Sequence, residues 1–253
     1  MFVFDNIFNK KNKAIEPIME SLVTDMHCHL VPMVDDGSKS VDETIRCLRT
    51  MQSLGYKKIY ITPHFNFPRY PNHEDDILRR FDELKEEVEK RRSDEGLTID
   101  LAGVAGEYRV DDGFPEKIKN DSFLKIAGKY VLIELSLHQH RMGVPQVVFD
   151  MQMKGYEIIL AHPERYPYYS KHSLELTELK NAGVYFQLNF PSISGFYGDG
   201  AQQRALDYLE NDWIDFLGSD MHNTLYAQAA SNGSHSKTLK SVLGQYEFLN
   251  KTL

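Results

Sequence analysis

The chain has 253 residues, 42% of them hydrophobic and 26% charged, with a formal net charge of −8. That length suits one barrel or doubly wound α/β domain with a well-buried core, and the composition is that of an ordinary soluble globular protein. The acidic balance argues against broad phosphate-backbone binding, which rests on clustered Lys and Arg, and two cysteines without a CxxC partner argue against a disulfide framework.

Residues 1–21 are polar with scattered Phe and Ile and read as a loosely docked N-terminal arm. Their opening, MFVFDNIFNKKNK, lacks the apolar core and small-residue cleavage site of a secretory signal. No apolar stretch approaches the roughly 20 residues needed to span a bilayer, so a cytoplasmic protein is expected. A first strand is expected over Leu22 to Met26, leading into His27 and His29. After the Asp35-Asp36-Gly37 loop, Ser40 followed by Glu43 has the form of a capping box, and Val41, Ile45, Leu48 and Met51 recur at helical spacing. Gly55 is a natural helix stop.

Lys58 to Thr62 reads as the second strand, ahead of His64. A long helix follows over Glu74 to Arg92, with Ile77, Phe81, Leu84 and Val88 on one face and a solvated charged remainder. A third strand runs to Gly106, ahead of Glu107, and a fourth covers Tyr130 to Leu135 with Glu134 near its end. A helix from Pro145 to Gly155 leads to a fifth strand, Glu157 to Ala161, ahead of His162. Helices near Ser173 to Ala182 and Ala201 to Asn211 flank a sixth strand, Val184 to Leu188. The seventh, Ile214 to Leu217, precedes Asp220 and His222. The main domain is expected over 22–225. Residues 226–253 read as a polar loop through Gln228–Ser236 and a terminal helix, Lys240 to Leu249, packed on the barrel.

Seven strands alternating with helices demand a largely parallel sheet, because parallel neighbours need crossover connections. Seven βα units favour a closed or distorted barrel, whose active site lies at the C-terminal ends of the strands. Every His and acid singled out above falls there. His27 and His29 at i and i+2 share one face, Asp220 and His222 repeat the spacing, and closure sets the seventh strand beside the first. Glu107 and Glu134 end apolar runs where unpaired carboxylates would cost several kcal/mol, a penalty that metal coordination removes. His64 follows Pro63 and His162 precedes Pro163, and both prolines stiffen the backbone beside a candidate ligand. Mixed His and carboxylate ligands suit Mn, Fe or Zn better than Ca or Mg, and the lack of thiolate ligands disfavours a structural zinc site. Cys28 points away from its His neighbours as a core thiol. Neither cysteine begins a Cys-x5-Arg loop, since Val34 and Ser53 stand at the sixth position. Arg165 lies within a turn of His162, where it forks onto a phosphate or pairs with Glu164. Arg109 and Arg141 near strand ends read as surface charges rather than substrate contacts. Phe65, Phe67, Tyr70, Phe196 and Tyr197 either form a rim that stacks on substrate or pack between loops.

The segments Asp25-Met26-His27-Cys28-His29, Val34-Asp35-Asp36-Gly37-Ser38, Thr62-Pro63-His64, Gly106-Glu107, Ile133-Glu134, Ala161-His162-Pro163-Glu164-Arg165-Tyr166 and Gly218-Ser219-Asp220-Met221-His222 carry a family likeness. Together they resemble the polymerase-and-histidinol-phosphatase (PHP) superfamily, and within it the bacterial metal-dependent protein-tyrosine phosphatases of capsule and exopolysaccharide synthesis. The resemblance covers roughly residues 22 to 225. It implies a distorted (β/α)7 barrel and three ions. The first would take His27, His29, Glu107 and Asp220; the second Glu107, Glu134 and His162; the third His64, His222 and an aspartate of the 35–36 pair, with Asp36 favoured over Asp35 by its match to the family's Asp-Asp-Gly loop. An acidic first-motif loop, where many superfamily members carry a third His, favours the tyrosine-phosphatase branch.

The resemblance further implies that Arg165 holds the phosphate, with His64 beside it in the catalytic apparatus, and that no phosphocysteine forms. A metal-activated water attacks phosphorus, and the phenolate leaves with little general-acid help because its pKa is near 10. The substrate implied is the tail of a bacterial tyrosine kinase that controls polysaccharide export. Competing readings are a PHP-type phosphoesterase acting on a small phosphomonoester such as histidinol phosphate, a nuclease, and a non-catalytic scaffold binding a phosphorylated tail.

Overall fold

Buried parallel strands need apolar side chains on both faces, and the runs that satisfy this build the middle of the molecule. The computed structural model describes residues 14–253. Its strands are β1 (Thr24–Asp25), β2 (Lys58–Ile61), β3 (His64–Phe65), β4 (Asp100–Val104), β5 (Glu107–Arg109), β6 (Tyr130–Glu134), β7 (Glu157–Ala161), β8 (Tyr185–Asn189) and β9 (Phe216–Gly218). Every pairing is parallel. They form two sheets, ordered β1-β2-β4 and β3-β5-β6-β7-β8-β9.

The expected seven strands become nine because the second and third each break in two. Pro63, which has no N–H for a ladder, separates β2 from β3, and Ala105-Gly106 separates β4 from β5. At Gly106 a Cβ would meet the Tyr108 ring at 2.5 Å, so the chain crosses between sheets where only a glycine fits. The first strand is shorter than expected because Val23 takes a left-handed φ of 65° and cannot extend the ladder. On the far side Asp220 N–H donates to His27 O and His29 N–H to Met221 O, each at 2.8 Å, around a parallel bridge between Cys28 and Met221. The first and last strands therefore meet at their C-terminal ends, and the ring is a distorted barrel rather than one continuous sheet.

Helices α1 (Val41–Leu54), α2 (Glu74–Glu95), α3 (Phe114–Asn120), α4 (Val144–Met153), α5 (Leu174–Asn181), α6 (Phe190–Ile193), α7 (Asp199–Glu210), α8 (Thr224–Gly233) and α9 (Lys237–Gln245) surround the strands. None is long and apolar enough to cross a membrane among the described residues. At α1 the Ser40 hydroxyl accepts from Glu43 N–H at 3.2 Å, while the Glu43 carboxylate reaches back to Lys39 N–H, one residue before the cap. Gly55 ends that helix at φ 106°. Ile77, Phe81, Leu84 and Val88 are the buried residues of α2.

The polar Gln228–Ser236 stretch, expected to be a loop, is mostly helix. Asn223 caps α8 through Leu225 N–H, and the small residues Ala227, Ala230 and Gly233 form its buried side. A boundary at 225/226 thus falls inside α8. Helix α9 begins at Lys237, earlier than expected, with Leu239 and Val242 in the same core as α1. Residues 1–13 of the expected arm lie outside the described residues. Within 14–21, Met19 is fully buried and donates its N–H to Leu54 O at 2.8 Å, so this part is docked rather than loose.

The N-terminal end of the barrel is closed by Asn250. Its Oδ1 accepts from Leu217 N–H at 2.9 Å, and its Nδ2 donates to Thr24 O at 2.9 Å and Leu217 O at 2.7 Å. Asn250→Ala removes all three bonds in a dry environment. It is expected to lower stability by roughly 2–4 kcal/mol, read as a drop in the urea midpoint with an unchanged slope. A loss under about 0.5 kcal/mol would show that the two strands hold together without it.

Candidate metal centre

The barrel shape delivers imidazoles and carboxylates from six separate strand ends to one end. His27 and His29 follow β1, His64 opens β3, Glu107 opens β5, Glu134 ends β6, His162 follows β7, and Asp220 and His222 follow β9. Glu107 lies at the middle. Its Oε2 is 2.9 Å from His64 Nδ1, 3.3 Å from His29 Nε2 and 3.4 Å from His27 Nε2, while Oε1 is 3.0 Å from His162 Nε2. Asp220 Oδ1 stands 3.3 Å from His29 Nε2 and 3.5 Å from His27 Nε2. Glu134 is 4.0 Å from both His64 and His162.

Four groups bring ligand-type atoms within 4.8 Å of one another: His29, His64 and His222; His27, His29 and Asp220; His27, Glu107 and His162; and His64, Glu107 and Glu134. The adjacent aspartates divide in role. Asp36 Oδ1 faces the cluster, 3.4 Å from His64 Nε2 and 3.7 Å from His222 Nε2. Asp35 is buried behind it, accepting from Gly37 N–H at 2.8 Å and His64 N–H at 3.0 Å and lying 2.9 Å from His29 Nδ1.

The same pattern of backing recurs around the ring. Gln187 Oε1 holds His27 Nδ1 at 2.8 Å, and Asp220 O holds His222 Nδ1 at 2.7 Å. With Nδ1 occupied by an acceptor, the Nε2 lone pair is directed inward, as in histidine ligands oriented by outer partners. Gln187 also donates to Asn189 Oδ1, and Asn189 Nδ2 to Asp220 Oδ2, both at 2.8 Å. These two residues went unnoticed in the sequence, although polar side chains two apart in the apolar strand YFQLN marked one face of β8. Asp25 fastens the seam, accepting from Ser219 N–H at 2.8 Å and Oγ at 2.7 Å. Burial pushes its carboxyl up to about 7 despite those bonds.

The electrostatics fit a bound cation. Burial would raise the Glu107 and Asp220 carboxyls, but the surrounding imidazoles, His27 and His64 for the first and His222 and His29 for the second, hold both well below the usual range. His222 is pushed down to about 4 by burial and by His29 beside it. Glu107 Oε2, Asp36 Oδ1 and His162 Nδ1 are buried without a hydrogen-bond partner. Divalent ions would satisfy the first two, whereas in a metal-free chain protons must bridge the carboxylates and imidazoles. His162 at φ 32° and Asp220 at φ 51° have left-handed backbones, a strain that non-glycine residues bear at functional sites.

On the open side Arg165 Nη1 donates to Asp220 Oδ2 at 2.8 Å, with its guanidinium 4.3 Å from the Tyr197 ring centroid. Glu164 is turned away, accepting from Asn189 N–H and Ser192 Oγ, so no Arg165–Glu164 pair forms. Arg109, expected to be a surface charge, instead donates to Glu134 Oε2 at 3.0 Å and lines the cavity of about 150 Å³ over the cluster. Arg141 remains outside, on Asp112. The aromatics divide: Tyr70 stacks on His64 at 5.5 Å and Tyr197 donates to Asp220, while Phe65 is buried and Phe196 packs between loops. Cys28 is buried, with Sγ 3.5 Å from Tyr60 O.

A distorted parallel α/β barrel with a His and carboxylate cluster at its C-terminal rim defines a class of proteins built to hold divalent metal ions. The chain belongs to the CpsB/CapC family, described as capsular polysaccharide synthesis, which matches residues 23–242. It is 31% identical over 205 residues to the tyrosine-protein phosphatase CpsB of Streptococcus agalactiae, covering 79% of this chain and 82% of that one. To the tyrosine-protein phosphatase YwqE of Bacillus subtilis it is 29% identical over 201 residues, covering 79% and 77%. A crystal structure from work on YwqE of Bacillus subtilis and CpsB of Streptococcus pneumoniae, described as unique metal-dependent tyrosine phosphatases, superposes with a TM-score of 0.71. That match has 26% identity and covers 88% of this chain and 91% of the other.

Gly218 tests how tightly the cluster is packed. A Cβ there would lie 2.6 Å from Gln187 Nε2 and 2.9 Å from His27 Cβ. Gly218→Ala is therefore expected to cost about 1–3 kcal/mol in chemical denaturation of metal-stripped protein. A stability equal to the parent's would show that Gln187 and His27 have room to move.

Proposed function

We propose that this chain is a metal-dependent protein-tyrosine phosphatase, hydrolysing phosphotyrosine in a protein segment. Family membership supports the activity. The observation that carries the reading for these residues is Glu107, fully buried among four imidazoles with one oxygen unsatisfied, below a cavity walled by Arg165 and Arg109.

The donor set suits three divalent ions, held by His27, His29, Glu107 and Asp220; by Glu107, Glu134 and His162; and by Asp36, His64 and His222. Asp36 is favoured over Asp35 because Asp35 is already committed to His29 and two backbone amides. Manganese fits this mixed nitrogen and oxygen set, with iron or zinc next. When bound, the ions supply a water made nucleophilic near neutral pH and positive charge for the transferred phosphoryl oxygens. Arg165 grips the phosphate. Its pairing with Asp220 and its seat on Tyr197 fix the guanidinium before substrate arrives, and its charge is permanent, so charge developing on the equatorial oxygens meets a donor already in place. His64, which lines the same cavity with Tyr70 stacked on its ring, orients the phosphate beside Arg165. The phenolate leaves readily because its conjugate acid has a pKa near 10, so no strong general acid is required.

The substrate protein that accords with the family is the tail of a bacterial tyrosine kinase controlling capsular or exopolysaccharide synthesis, and a cytoplasmic location goes with that reading. An acidic chain without a basic stripe accords poorly with a nucleic-acid substrate.

Metal-stripped protein is expected to be inactive on a phosphotyrosine peptide and to regain turnover when Mn is restored. Arg165→Ala is expected to lose about 10²–10³ in kcat/KM, the scale for removing a donor to developing charge. Metal-independent turnover, or an unimpaired Arg165 variant, would sink the reading. For the outer partners, Asp35→Ala is expected to weaken metal affinity about 10–100-fold in chelator competition, and unchanged affinity would remove Asp35 from the support of His29.

A further inference from the structure

Strands β3 and β5 carry a second cavity on their opposite faces. Successive residues of a strand point to opposite sides, so His64 and Glu107 turn to the centre while Phe65 and Tyr108 turn away from it. Against those outward residues lies a cavity of about 220 Å³ with Phe67 and Phe114 as further apolar walls. Asn66, Tyr70 and Arg109 border both this cavity and the one over the metal centre, so the two are neighbours with shared walls at the strand ends.

The loop between them is firmly built. Asn66 and Tyr70 exchange backbone hydrogen bonds at 3.2 and 2.6 Å, and Asn72 Nδ2 ties the segment to Val34 O at 3.1 Å and His64 O at 2.7 Å. It holds Phe67 with 74% of its surface in solvent, at the mouth of the cavity. The charges nearby select the occupant. Lys117 is paired with Glu74 and lies 4.8 Å from the Tyr108 ring centroid, and Arg109 is tied to Glu134 at 3.0 Å. Both cations are thus neutralised, and Asp111 adds a negative charge at the rim. An acidic side chain gains nothing here, whereas an apolar one buries its surface between Phe67 and Phe114. The volume falls below the roughly 300–1,000 Å³ typical of sites for whole small molecules and suits one bulky side chain.

Resting on the phosphatase reading above, we propose that this cavity seats a bulky apolar or aromatic side chain of the phosphorylated protein segment, close in sequence to the phosphotyrosine. An extended chain advances about 3.4 Å per residue, so cavities that share Asn66, Tyr70 and Arg109 as walls are spanned by a short stretch of up to about three residues. Phosphorylated protein is then selected twice, by phosphate at the centre and by a neighbouring side chain over the strand ends.

The test uses metal-loaded full-length protein, phenyl phosphate, and phosphotyrosine peptides carrying Leu, Phe or Ala in turn at each of the three positions on either side. At one position Leu or Phe is expected to lower KM about tenfold relative to Ala, with kcat little changed. In Phe67→Ala that preference should shrink to under about twofold, and Phe67→Leu should restore part of it, the non-additivity expected of groups in contact. Equal KM at every flank, or a preference that persists intact in Phe67→Ala, overturns the proposal while the phosphatase reading stands. No turnover of any peptide or of phenyl phosphate overturns both.

Discussion

A carboxylate sealed from water among imidazoles is the constraint around which this end of the molecule is organised. An isolated buried anion would cost several kcal/mol, so Glu107 can lie at zero exposure only because four histidines from three strand ends converge on it. Convergence on that scale needs strand ends arranged in a ring. It is helped where an imidazole is held from behind, His27 by Gln187, His29 by Asp35 and the neighbouring His222 by the Asp220 carbonyl, because a ring free to rotate would present the wrong nitrogen.

The distortion of the barrel follows from the same demand. Breaks at Pro63 and at Ala105-Gly106 let the chain leave one sheet and enter the other just before His64 and Glu107, moving both side chains inward. Where the ring comes round, three backbone and side-chain links through Asp220, His29 and Ser219 draw together the two HxH and DxH pairs. The binding face and the stabilising face are thereby separated. Metal-type residues crowd the C-terminal ends of the strands, while Asn250 and the terminal turn close the other end.

Much of this was legible in the sequence because barrel chemistry follows strands at short, fixed offsets. His27, His29, His64, Glu107, Glu134, His162, Asp220 and His222 each come after an apolar run, and the fold brings all of them together. What was not legible has physical reasons. Asp35 and Asp36 are neighbours of identical chemistry, and only the turn at Gly37, where a Cβ would meet His29 O at 2.0 Å, decides which one faces the cluster. Arg109 looked like a surface charge because nothing in EYR announces that Glu134 lies one strand away. The Ser, Asn and Gly of α8 suggested a loop, yet the small Ala227, Ala230 and Gly233 let that helix pack closely, with the site of a Gly233 Cβ only 3.1 Å from Ser194 Oγ.

The left-handed backbones at His162 and Asp220 carry an evolutionary consequence. A side chain held at positive φ forfeits of order 1–3 kcal/mol that glycine would not. Drift toward glycine at either position would make a sturdier protein with an incomplete centre, so selection for stability alone erodes this rim. That this chain carries His and Asp rather than glycine at two such backbone positions beside the cluster fits a rim kept for what it does rather than for how well it folds.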